Sequence, residues 1–216
     1  MDRAQLNAYC KKKRSVTLLE LLLSLIILGI VVLTFASIDV FCRHQVLSSD
    51  KRVQAQNNAS KVLEHMNKKI GAAIGNEKIT GMGPVITIFA STNTVIAFVD
   101  ANLSGIRGDT VGPGPDLWVG YRLDGNNLRF CGNANGSTGD CVETAGGWNN
   151  AEVISDEVTV FTVVKPVAGL YLNQNYIDVT VTTCANPNNL PYACNTPSNP
   201  IAEMKTRILM PSVSLN

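Results

Sequence analysis

Charge is scarce in this chain. Only 16% of its 216 residues are Asp, Glu, Lys or Arg, where an ordinary soluble chain carries about a quarter. Beyond the first 15 positions, 13 basic residues face 16 acidic ones, so the body is mildly acidic. Such a body offers no broad phosphate-binding surface, and no specific nucleic-acid partner is expected. Histidine occurs only as His44 and His65, 21 residues apart and too distant to share one helical patch. No nucleophile, base or metal constellation stands out, and strands do not alternate with helices as a nucleotide fold requires. The composition therefore predicts neither an enzyme nor a bound cofactor.

Apolar residues make up 45% of the chain, and they are concentrated between Val16 and Phe41. Leu21 to Ile38 is an 18-residue stretch without a charge, at the lower limit for a bilayer-spanning helix. Leu and Ile dominate, Gly29 is isolated and proline is absent, so a long unbroken helix is predicted. Arg3, Lys11, Lys12, Lys13 and Arg14 precede it against a single acid, Asp2. That asymmetry keeps the basic end on the cytoplasmic side of a membrane.

Three readings fit a basic run followed by an apolar helix. A cleaved secretory signal needs small residues at a site past the apolar run, and only Ala36 and Ser37 serve. A plain signal anchor leaves Glu20 unexplained, unless that carboxylate reaches the headgroup layer. The third reading starts from Glu20. An ionised carboxylate inside hydrocarbon is costly and usually marks pairing or function. Cleavage between Ser15 and Val16 would expose a new amine and make Glu20 the fifth residue. That carboxylate can then pair with the amine of a neighbouring subunit, matching two buried charges.

The string KKKRS-VTLLELLLSLIILGIVV resembles the leader and N-terminus of type IV prepilins and pseudopilins. The resemblance is specific over residues 11 to about 40. It implies that Ser15 ends a leader peptide cut by prepilin peptidase and that Val16 is the N-methylated terminus. It also implies that Glu20 is the assembly glutamate. Serine stands here where the family usually has glycine, and valine where it usually has phenylalanine.

Beyond the apolar span the pattern turns amphipathic. Val46, Val53, Gln56, Ala59, Leu63, Met66, Ile70 and Ile74 recur mostly three or four apart. One helix is predicted from Val16 to about Ile74, roughly 90 Å long. After Gly75 come strand-like runs at 85–89, 94–99, 117–123, 128–130, 153–164, 176–182 and 206–210, rich in β-branched and aromatic residues. Asp124-Gly-Asn-Asn127 predicts a hairpin turn. Trp118, Tyr121 and Phe130 predict packing on sheet faces. Asp109 and Asp116 are weak candidates for calcium, without the ligand spacing such a site needs.

Cys131 and Cys141, and Cys184 and Cys194, form two local pairs in Gly/Asn/Pro-rich segments. With the basic end cytoplasmic, the body lies on the oxidising side, where disulfides persist. Four cysteines allow three pairings; the two local ones are favoured. Cys42 is left as a free thiol.

These pieces predict an α+β chain: a long N-terminal transmembrane and stalk helix packed on an antiparallel β-sheet head. The divisions are leader 1–15, membrane and filament-core helix 16–41, stalk helix 42–75, and periplasmic or extracellular head 76–216. The head is also similar to those of larger minor pilins and J-type pseudopilins. The resemblance implies a structural subunit, minor and near a tip, of a type IV pilus or type II secretion pseudopilus. Its partners would be prepilin peptidase, other subunits and an inner-membrane assembly platform. The rival reading is a non-polymerising, membrane-anchored binding module that keeps residues 1–15.

Overall fold

The computed structural model describes residues 17–76, 85–100, 116–133, 141, 148, 151–165, 175–188 and 193–214. Its first element, α1 (Leu18–Ile70), is a single 53-residue α-helix. The chain divides into two compact units, Met1–Val46 and Leu47–Asn216, and α1 contributes to both.

In the first unit α1 is apolar all round from Leu21 to Ile38. Its large side chains are exposed on every face, Leu33 at 69% and Phe35 at 67% among them. A helix from Leu18 to Val46 extends about 43 Å, longer than the roughly 30 Å hydrocarbon layer of a bilayer. It is long and apolar enough to cross a membrane, and none of the apolar window is buried within the chain.

The second unit starts from the other half of the same helix. Here α1 buries Ala55, Ala59, Val62, Leu63, Met66 and Ile70. The expected stripe therefore holds from Ala59 onward but fails before it. Val46, Val53 and Gln56 are exposed. At 100° per residue Val53 lies about 120° around the helix from Ala59, off the packed face. Ala55 takes its place because close approach, rather than bulk, is required there. The Thr183 hydroxyl donates to the Ala55 carbonyl at 2.6 Å.

The helix also stops at Ile70, four residues before the predicted end. The Gly71 amide still reaches Asn67 O at 3.0 Å. A Cβ at Gly71 would stand 2.4 Å from that same oxygen, so only glycine fits. The chain then turns into β1 (Ile74–Asn76), where Ile74 is buried as a strand residue.

The remaining strands are β2 (Ile86–Phe89), β3 (Thr94–Val99), β4 (Leu117–Asp124), β5 (Asn127–Cys131), β6 (Glu152–Ser155), β7 (Val158–Val164), β8 (Tyr176–Cys184), β9 (Ile201–Leu209) and β10 (Ser212–Ser214). They form two antiparallel sheets, β2-β3-β4-β5-β6 and β7-β8-β9, plus a parallel pair of β1 with β10. The single predicted sheet is thus divided, and so is the predicted strand region 153–164. The break falls at Asp156 and Glu157, which lie between strands rather than within one. The Glu157 carboxylate accepts from Gln54 Nε2 at 2.8 Å and from Asn58 Nδ2. The Glu157 carbonyl accepts the Cys184 amide at 2.9 Å. Three groups on helix and strand thereby hold the corner where the chain passes from one sheet to the other.

The hairpin β4–β5 forms where predicted. Gly125 sits at φ +60°, and Asp124 and Asn127 close the turn. Glycine at the first of two central positions suits a type II′ turn, whose twist matches that of the flanking strands. Tyr121 and Phe130 are cross-strand partners facing the main core with Met66, Leu128, Val158, Ile177 and Ile208. On the opposite face of the five-stranded sheet a smaller cluster joins Ile96, Cys131, Cys141, Trp148 and Ala151, with Trp118 and Phe89 packed against it.

Candidate functional site in the N-terminal helix

The start of α1 is capped by its own residues. The Thr17 amide donates to Glu20 Oε2 at 3.1 Å, and the Glu20 amide donates to the Thr17 hydroxyl oxygen at 3.3 Å. The Thr17 hydroxyl also donates to Glu20 Oε2 at 3.2 Å. This is a reciprocal capping box, Thr-x-x-Glu, which satisfies two amides that the helix leaves open. The carboxylate also lies at the positive end of the helix dipole. The Thr-x-x-Glu spacing is plain at positions 17–20, while the apolar context of Glu20 points instead to a charge partner. Glu20 and Thr17 remain exposed in the chain. Ser15 and Val16, the predicted processing residues, lie outside the described residues, as does the leader 1–15.

Polar side chains within the apolar span are satisfied by the helix itself. Ser24 Oγ donates to Leu21 O at 2.8 Å, Thr34 Oγ1 to Val31 O at 2.7 Å, and Ser37 Oγ to Leu33 O at 2.9 Å. No hydroxyl among these three asks for an outside partner, which is the condition for a helix surrounded by hydrocarbon. The first charge after Glu20 is Asp39, and Arg43 one turn later meets it at 2.9 Å. This exposed pair marks where the uncharged surface ends. Cys42 beside it is an exposed free thiol.

In the second unit, disulfides join Cys131 to Cys141 and Cys184 to Cys194, with Cα separations of 6.2 and 5.9 Å. The first ties the end of β5 to the small outer cluster. The second lies beside Asn199, a buried side chain whose amide exchanges two hydrogen bonds with the Asn186 backbone.

One contact had no signal in the sequence. His65 on α1 meets Tyr121 on β4, with Nδ1 2.9 Å from the phenolic oxygen, and that hydroxyl also approaches His65 O at 3.3 Å. The imidazole stands edge-on to Phe130, with ring centroids 4.7 Å apart. Burial first, and then the nearby Lys69, lower the His65 pKa below its ordinary value. Burial likewise pushes the Tyr121 phenol up. A neutral imidazole thus helps join the helix to the five-stranded sheet.

Of the weak calcium candidates, Asp109 lies outside the described residues. Asp116 immediately precedes β4. Among the described residues there is no group of three or more His, Cys, Asp or Glu side chains placed to hold a metal ion.

No curated protein and no solved structure matches this chain. Residues 10–36 match the family described as the prokaryotic N-terminal methylation motif. The segment that carries this motif includes the start of the long apolar helix, and the β-strands of the head follow that helix in the chain.

Proposed function

We propose that this chain is a structural subunit of a type IV pilus or type II secretion pseudopilus, made as a precursor and processed by prepilin peptidase. Cleavage follows Ser15, Val16 becomes the methylated terminus, and the apolar part of α1 holds the subunit in the inner membrane with its head in the periplasm. The helix then enters the core of a filament built with other pilin or pseudopilin subunits on an inner-membrane platform. The role is non-catalytic. The large β head favours a minor subunit near a tip, since it disfavours close repetition.

The observation that carries this reading is the methylation motif over residues 10–36 joined to a helix exposed and apolar on every side. A motif for methylating a terminus has use only if that terminus is created by cleavage. A helix apolar all round has a stable place only in a dry environment. In this reading Glu20 changes partner on assembly, from its capping bonds at Thr17 to the new amine of a neighbouring Val16.

The test is the intact mass and N-terminal sequence of the protein taken from native membranes. The expected chain begins at Val16 and carries one added methyl group. A chain that keeps residues 1–15 would overturn the reading in favour of a permanently anchored binding module.

A further inference from the structure

The outer face of the five-stranded sheet carries an arrangement that the filament role does not use. Arg122 on β4 and Arg129 on β5 are directly opposite each other in the hairpin register. Side chains so paired have Cβ atoms about 4.5–5.5 Å apart, and like charges there repel. Thr94 on β3 flanks Arg122 in the same row. The neighbouring row on this face runs Ile96, Gly120, Cys131, and Trp148 packs in the cluster that contains Ile96 and Cys131.

These groups share a defect. Arg122 Nε, Arg129 Nε and Trp148 Nε1 are all buried, and none makes a hydrogen bond. Buried N–H groups are satisfied as a rule, and each exception calls for an explanation. Trp148 is only 3% exposed, and the Arg129 side chain only 16%. Among the described residues, Asp124 stands 3.4 Å from Arg129 Nε as an ion pair without hydrogen-bond geometry, and it is half exposed. One partly solvated acid thus faces two adjacent guanidiniums. Arg122 Nε, Arg129 Nε and Trp148 Nε1 are each donors, and these three lie on one sheet face.

We infer that Arg122 and Arg129 form a binding site for an oxyanion, a carboxylate or phosphate group, on the outer face of the head. A guanidinium fork offers N–H donors that both anions accept in bidentate fashion, and two such residues are neighbours here. An anion seated there would relieve the repulsion between the arginines and give acceptors to the unsatisfied N–H groups. The body as a whole is mildly acidic, so the attraction is local. It suits a single anionic group, such as a side chain, a terminal carboxylate or a phosphorylated small molecule, rather than a polyanion.

The experiment uses the full chain, nitrogen-15 labelled, in detergent micelles. Sodium phosphate and sodium acetate are titrated separately, each against sodium chloride at matched ionic strength, while the Arg122 and Arg129 Nε–H and Trp148 indole resonances are followed. The expected result is one saturable curve shared by these resonances with phosphate or with acetate, and none with chloride. Saturation by phosphate alone assigns a phosphoryl ligand, and saturation by acetate assigns a carboxylate. Arg122→Gln or Arg129→Gln should weaken binding about tenfold, the loss of one charge-assisted contact. Arg122→Lys keeps the charge without the fork and guards against a folding defect. Arginine resonances that stay still with both anions, or move equally with chloride, would overturn the inference.

Discussion

The two halves of α1 have the same backbone and opposite surfaces. From Leu18 to Val46 large apolar side chains stand exposed on every face. From Ala55 to Ile70 one apolar stripe is buried, and the exposed positions between are mostly polar. Propensity does not distinguish them, since both are helix. What differs is where the buried partner lies. The second half finds it in strands of the same chain, whereas the first half must find it in a lipid or another protein. Helicity in both halves is therefore tertiary or environmental in origin, as most helix stability is.

The comparison breaks most sharply by paired truncations. Met66→Ala in the covered stripe should cost the head about 2–5 kcal/mol, because a fully buried side chain leaves a cavity. Leu28→Ala in the exposed half should leave head unfolding unchanged within about 0.5 kcal/mol. Denaturant titration followed by the near-ultraviolet signal of the head measures both. Equal losses would show that the two halves unfold as one body.

The reverse experiment puts a charge into the uncovered half. Leu28→Arg should oppose membrane insertion by about 2.5–3.5 kcal/mol, shifting protein from the pellet to the supernatant on alkaline extraction, with head stability preserved. An arginine at Gln56, also on α1 but already exposed beside the head, should shift neither reading.

A smaller effect concerns pH. The folded His65 pKa lies below that of the unfolded chain, so the neutral form is favoured in the fold. Its stabilising contribution is fully present above the unfolded value, near pH 6.5. It is lost as pH falls from there through the folded value, because the unfolded chain then binds the extra proton. Lys61, Lys68 and Lys69 on the helix oppose protonation, and Glu152 on β6 favours it. Head stability should fall between pH 7.5 and 5.5, and His65→Gln should flatten that slope.

The smallest effect sharpens the meaning of Glu20. Glu20→Gln preserves a capping box, whereas Glu20→Ala removes it, a difference of about 0.3–1.5 kcal/mol at the helix start. Hydrogen exchange at residues 17–21 should therefore be protected in the Gln variant and faster in the Ala variant. In the proposed assembly role, co-purification with partner subunits should fail in both, because neither carries the charge proposed to meet a neighbouring amine. Normal assembly of the Gln variant would assign Glu20 to capping alone.

Local chemistry made much of this legible. The uncharged run, the Gly125 turn and the stripe from Ala59 onward each depend on neighbours in sequence, and periodicity reports them. The break at Asp156 and Glu157 was hidden because residues 153–164 are β-prone on both sides of it. The corner is made by Gln54 and Asn58, about a hundred positions away. Ala55 carries too little apolar bulk to mark the stripe, and its place depends on clearance beneath Thr183. The His65–Tyr121 contact and the Arg122–Arg129 pair depend on packing and register. Neither leaves a periodic trace. Thr17 and Glu20 stood in plain capping order, but the chemistry of the membrane context suggested a more distant partner for the same carboxylate.

The hydroxyls of Ser24, Thr34 and Ser37 have a further consequence. Because each is already spent on a carbonyl of its own helix, the first half of α1 enters any dry medium without breaking or making a hydrogen bond at these positions. Its transfer from lipid tails to a bed of neighbouring helices is then close to an exchange between two like solvents. Dispersion and shape decide the direction, and the reverse step meets no hydroxyl desolvation barrier. In the proposed filament role, such a segment could pass between membrane and filament in either direction.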